Sequence, residues 1–203
     1  MAQSSSLPSS TFLEKETCLV PHAVSQESAR IALAWIKKLP DHAWSAVVEG
    51  RSKDRSRIKF SAQRFFGMAP SWDTRVPPEL LVLGEEAVEA ARSKVPDAPW
   101  GNFEIDTLVL NRYRAKKGVA AHTDPATWVP LVVGVTLYDN PEGGVVSAMK
   151  FTHQRNAHTM PTPHRSAYVF HGRAYTDAEH ARKPCSSRLQ GHVYSFTFRS
   201  YAT

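Results

Sequence analysis

The pattern of apolar and polar positions divides the chain into a helical first half and a strand-rich second half. Between Ser25 and Pro40, residues Ala29, Ala32, Leu33 and Ile36 recur at the spacing of one helix face, and Ser25 is a suitable N-cap. Pro40 stops that helix, because its ring clashes with the preceding turn and it offers no N–H. Pro77 and Pro78 open a second helix over residues 79–94, whose apolar stripe is Leu80, Leu83, Ala87, Val88 and Ala91.

After Pro96 the period shortens. Apolar runs at 108–110, 129–138, 145–151, 167–171 and 193–201 are separated by polar turns, which predicts a β-sandwich or barrel. Earlier segments, 17–24 (containing Pro21) and 44–49, read as shorter strands. No internal repeat is visible. The expectation is one domain over residues 11–203, α+β and mainly β, preceded by a disordered polar tail over residues 1–10.

The closing strand alternates cleanly. Val193, Ser195, Thr197 and Arg199 share one face, and Tyr194, Phe196 and Phe198 share the other. An Arg opposite three aromatics is either exposed or facing a ligand, since burying an unpaired guanidinium is costly. If that face lines a barrel, Arg199 is a carboxylate receptor.

Composition narrows the class. No apolar run is long enough for a membrane span, and the polar start MAQSSSLPSS lacks the apolar core of a secretory signal. Cys18 and Cys185 lie far apart without metal or redox spacing, which suits reduced thiols. These features read as a soluble intracellular protein, of cytoplasm or nucleus, with a monomer favoured. A formal charge of +6 leans toward a polyanionic partner, RNA or single-stranded DNA. The stretch RSKDRSRIKFSAQR, residues 51–64, carries six basic residues against Asp54. It is either a solvated hairpin face or a groove edge that tracks phosphates. The aromatics that follow, Phe60, Phe65, Phe66 and Trp72, read mainly as core, with stacking on a base as the alternative.

Candidate chemistry concentrates in residues 107–124, TLVLNRYRAKKGVAAHTD. A strand runs into Asn111-Arg112-Tyr113, a basic turn closes at Gly118, and a second extended segment ends in His122-Thr123-Asp124. Residues two apart on an extended segment point to one face, so imidazole and carboxylate stand side by side. Such a pair supplies two corners of the facial triad that holds Fe(II), although so short a triplet by itself also suits a surface turn. Among the remaining histidines, position favours His180 as the third ligand, between the 167–171 and closing strands, with a surface role as the alternative. Asp177 and Glu179 are candidate hydrogen-bond acceptors for it or simply solvated. Trp128 and Tyr138 read as core, with substrate contacts as the alternative.

Taken together, these residues resemble the AlkB-like 2-oxoglutarate and Fe(II)-dependent dioxygenases. The resemblance spans roughly Phe60 to Arg199. It rests on Asn111-Arg112-Tyr113, His122-Thr123-Asp124, the block PHRSAYVFHGRAYTDAEH at 163–180, and SFTFR at 195–199. The middle block looks most like the tRNA-modifying branch of that family. The resemblance implies a double-stranded β-helix, or jelly roll, with N-terminal helices packed on it. It implies Fe(II) held by His122, Asp124 and His180, with 2-oxoglutarate and O₂ as cosubstrates. Asn111 and Arg199 would meet the C1 end of 2-oxoglutarate, and Tyr113 and Ser195 would lie near its C5 carboxylate. The implied activity is oxidative demethylation or hydroxylation of a modified base in nucleic acid. The alternatives are a protein or small-molecule substrate, or a decayed barrel that only binds a partner.

One position departs from the family. An Arg six residues before the last one usually pairs with the C5 carboxylate, and here that residue is Val193. Arg165, Arg188 and His192 are the expected substitutes.

Overall fold

The computed structural model describes residues 11–49, 52–61, 75–143 and 146–201. The expected tail over 1–10, and Phe65, Phe66, Trp72 and Val145, lie outside the described residues, as do both ends of the basic stretch 51–64.

The two helices form as their patterns require. Helix α1 is a single turn, Phe12–Lys15, and α2 spans Gln26–Lys37, opened by the Ser25 hydroxyl, which accepts from the Ser28 N–H at 3.0 Å. Helix α3 spans Pro78–Lys94 and buries all five stripe residues. Its Glu86 carboxylate accepts from the Ser25 N–H at 2.8 Å and the Ser28 hydroxyl at 2.6 Å, tying α3 to the start of α2.

Eleven strands are described: β1 (Thr17–Val20), β2 (Ser45–Glu49), β3 (Ser52–Ser61), β4 (Thr107–Tyr113), β5 (Val119–His122), β6 (Leu131–Tyr138), β7 (Ser147–His153), β8 (Asn156–Thr162), β9 (Ser166–His171), β10 (Glu179–Arg182) and β11 (Val193–Arg199). A short helix α4, Gly172–Thr176, joins β9 to β10. Seven strands form one antiparallel sheet in the order β1-β9-β6-β11-β4-β3-β2, and four form a second in the order β5-β10-β7-β8. Two facing antiparallel sheets of this kind are a jelly roll, so the expected mainly-β fold is the observed one.

Each sequence strand is present, with shifted ends. The 17–24 segment pairs only as far as Val20, before Pro21. Four elements were not legible in the pattern, α1, β8, β10 and α4, and β3 lies within the stretch read as a hairpin face or groove edge.

The larger sheet has two unlike faces. Leu108, Leu110, Val133, Val135, Ala167, Val169, Tyr194, Phe196 and Phe198 face α2 and α3, in one apolar cluster with Ala29, Ile36, Leu83 and Ala87. That helix layer covers the sheet and leaves the opposite face free to carry polar side chains. On the inner side, Gly134 of β6 lies under the Tyr168 ring, and a Cβ there would stand 2.0 Å from Tyr168 Cζ. Gly118 is equally constrained, since a Cβ would meet the Arg182 carbonyl at 2.3 Å. The basic turn between β4 and β5 is thereby pressed against the end of β10, where Lys116 N donates to Cys185 O and Cys185 N to Lys117 O, each at 2.9 Å.

At the base of the sheets the half-buried His164 Nδ1 accepts from the Tyr138 N–H at 3.0 Å, which requires the neutral ring. Burial, then the Arg165 charge, lowers the His164 pKa from its ordinary 6.5, and burial lowers that of His171. The unfolded chain therefore binds more protons in mildly acid solution, so these groups stabilise the fold above about pH 6.5 and that contribution is lost as pH falls. The melting temperature is expected to drop from about pH 7.5 to about pH 5.5, and less steeply in His164→Asn, whose Oδ1 keeps an acceptor for Tyr138. Thermal melts of both proteins across that range check it.

Candidate metal centre and its cavity

Antiparallel pairing of β5 and β10 sets His122 directly opposite His180. Their ring centroids are 4.4 Å apart, and Asp124 follows in the loop leaving β5. One ligand atom from each of His122, Asp124 and His180 lies within 4.8 Å of the other two. The three predicted residues are thus brought together, from one short hairpin segment and one strand 58 positions further on.

Local contacts orient the set. His122 Nδ1 lies 2.9 Å from the Ala120 carbonyl, which holds that nitrogen as the N–H and leaves Nε2 to bind. His180 Nε2 is 3.7 Å from Asp124 Oδ2, and the His180 ring packs against Phe170 at 4.8 Å. The loop after Asp124 is fastened by Tyr175 of α4, whose hydroxyl donates to the Pro125 carbonyl at 2.7 Å. Burial, then the negative charge of Asp124, pushes the Tyr175 pKa up to about 12, so the hydroxyl stays a donor at any ordinary pH. Two imidazoles and a carboxylate converging on one point suit Fe(II) with coordination positions to spare.

The centre opens into a cavity of about 330 Å³ between the two sheets. Every predicted site residue lines it: Asn111 and Tyr113 from β4, Ser195 and Arg199 from β11, and the metal triad. Arg199 Nη2 donates to Asp124 Oδ2 at 2.5 Å, and its guanidinium lies 4.3 Å from the Trp128 ring centroid. Its Nε, and Oδ1 of Asn111, are buried without a hydrogen-bond partner among the described residues. Unsatisfied buried polar atoms are rare in native folds, and each calls for a partner such as a water, an ion or a ligand. The Arg199 Nε is a donor suited to a carboxylate beside the triad, whereas Asn111 would meet one through its Nδ2, since its Oδ1 only accepts.

The substitutes expected for the missing Arg are elsewhere. Arg165 Nε donates to the Val24 carbonyl at 2.9 Å, Arg188 is exposed, and His192 Nδ1 lies 3.1 Å from Asp139. Val193 sits in an apolar cluster with Tyr113, Tyr138 and Leu189. Besides Arg199 and Arg57, the cavity is lined by Arg182, which the sequence reading missed. A signal for it was present: two residues after His180 on one short strand, it faces the same way. Tyr168, Tyr175 and Arg57 were also missed, and Trp128 proves to be both buried and part of the cavity wall. Asp177 pairs with Arg173 at 3.0 Å, and Glu179 is exposed.

No protein-family model matches the chain, and no curated protein matches it in sequence. Solved structures do. The chain is similar to OsALKBH1, with a TM-score of 0.66 at 12% identity, covering 91% of this chain and 98% of that one. It is also similar to a prolyl hydroxylase from Trichoplax adhaerens, solved with a peptide of the hypoxia inducible factor oxygen degradation domain. There the TM-score is 0.61 at 11% identity, covering 92% of this chain and 83% of that one. The likeness is one of fold.

The triad should hold one divalent ion per chain. Titration with Mn(II) followed by calorimetry is expected to give one site, and His122→Ala or Asp124→Ala should weaken it by roughly a hundredfold or more while the melt stays cooperative.

Proposed function

We propose that this protein is an Fe(II)- and 2-oxoglutarate-dependent oxygenase that hydroxylates or demethylates a modified base in RNA or single-stranded DNA. The observation that carries it is the His122, Asp124 and His180 cluster at a jelly-roll cavity whose Asn111 and Arg199 present unsatisfied polar atoms to the same space. His122, Asp124 and His180 hold the iron, and Asn111 and Arg199 receive the C1 carboxylate of 2-oxoglutarate. Tyr113 and Ser195 lie toward its C5 end. With both bound, O₂ is split between the cosubstrate, which leaves as succinate and CO₂, and a C–H bond of the substrate, which becomes C–OH.

The protein's own contribution is placement. Trp128 packs on the Arg199 guanidinium and Phe170 on His180, which confines the polar groups to the cavity side. Partial burial of this kind strengthens each charge contact relative to bulk water.

Support for a nucleic-acid substrate comes from charge. The formal charge is +6, Arg114 and Lys116 are exposed on the turn leading to β5, and Arg57 of β3 lines the cavity. A base must leave its stack to reach a buried iron, which favours single strands or flipped nucleotides.

Succinate release under Fe(II), ascorbate and 2-oxoglutarate, measured against panels of methylated oligonucleotides and of peptides, tests the proposal. Turnover should rise with one class of methylated RNA or DNA. Binding to it should weaken roughly tenfold between about 50 and about 200 mM salt, as expected for two or three neutralised phosphates. Turnover stimulated only by peptides would move the substrate to protein. Partner binding with no succinate under any condition would leave a non-catalytic barrel.

A further inference from the structure

Of the metal triad, Asp124 alone lies outside a strand. His122 and His180 are held opposite each other by the pairing of β5 and β10, whereas Asp124 opens a loop in which Pro125, Ala126 and Thr127 are exposed. Loop residues move more than strand residues, and a carboxylate that wanders must be ordered each time it meets a cation. Helix α4 holds this loop at both ends. The Tyr175 hydroxyl donates to the Pro125 carbonyl at 2.7 Å, and the Gly172 N–H donates to the Pro130 carbonyl at 3.1 Å. Gly172 has φ of 54°, in the left-handed region that favours glycine, and a Cβ there would stand 3.0 Å from the Glu16 carboxylate. That carboxylate accepts from the Ala174 N–H at 2.9 Å, which fixes the first turn of α4.

Tyr175 itself is 2% exposed, and its ring stacks on Phe170 with centroids 6.2 Å apart and 24° between the planes. The Phe170 ring packs in turn on His180 at 4.8 Å. One side chain therefore meets the backbone beside one ligand and the ring behind another. Pro125 restricts Asp124 to an extended backbone, so fixing the Pro125 carbonyl also fixes the direction in which the Asp124 carboxylate leaves the chain. We propose that Tyr175 is a positioning residue for the metal centre: by holding the Pro125 carbonyl, its hydroxyl presets the Asp124 carboxylate against His180 and so sets the affinity and coordination of the ion. This rests on the reading of His122, Asp124 and His180 as metal ligands. Tyr175 acts through the loop and is not itself a ligand.

Tyr175→Phe removes the hydroxyl alone and tests the assignment. Calorimetric titration with Mn(II) should show affinity weakened roughly tenfold relative to wild type, the lower end of what losing an orienting contact behind a ligand costs. The visible ligand-field spectrum of the Co(II)-saturated protein should also change in band position or intensity. Tyr194→Phe, which loses a tyrosyl hydroxyl on the other face of the larger sheet, should match wild type in both measurements. If Tyr175→Phe does not fold, Glu16→Ala decides, since it loosens the first turn of α4 and keeps Tyr175: weaker Mn(II) binding supports the assignment and an unshifted affinity overturns it. A merely structural Tyr175 would lower the melting temperature while leaving the Mn(II) affinity and the saturated Co(II) spectrum as in wild type. That result, or an equal loss of affinity in Tyr194→Phe, overturns the role of Tyr175 and leaves the triad standing. Failure of wild type to bind Mn(II) at all overturns both.

Discussion

Everything at this centre depends on keeping charge inside a closed β structure. Arg57, Arg182, Arg199 and Asp124 all line one cavity. Ionised groups withdrawn from water are tolerated only when each is matched by an opposite charge or by a full set of hydrogen bonds. Asp124 is matched by Arg199. Arg182 is held by hydroxyls from β6, β7, β8 and β11, so one guanidinium bridges both sheets. Such a network favours a single arrangement of strands, because slipping any of them by one residue would strand the cation.

This interior is sustained by the layer on the other side of the larger sheet. Tyr194, Phe196 and Phe198 pack beneath α2 and α3, while Ser195, Thr197 and Arg199, between and beyond them, face the cavity. One strand therefore contributes to the core with one set of residues and to the cavity wall with the next. The helices supply the apolar burial that the polar inner face cannot, which is why an α layer is needed on an otherwise β fold.

The same logic explains what could be read in advance. Helices α2 and α3 were legible because their stripes and their entry residues, Ser25 and the Pro77-Pro78 pair, all agreed. Strand β11 was legible because its two faces differ in kind. Strand β10 was not, for its inward residues are His180 and Arg182, so a strand that lines the cavity inverts the apolar-in pattern by which strands are recognised. Strand β8 failed for a related reason, being mostly polar with Pro161 inside it.

Taken alone, the sequence determined the helical half, the alternation of the closing strand, and the pairing of His122 with Asp124, all of which follow from the local geometry of one segment. Only the tertiary structure decided which distant residues complete the site. Alternation says that His180 and Arg182 face the same way, but not that this way is inward. That is settled by the pairing of β10 between β5 and β7. The same pairing admits Arg182 to the cavity, while Arg165, Arg188 and His192 sit outside it, since side-chain direction in a strand is local but the interior is defined by its neighbours.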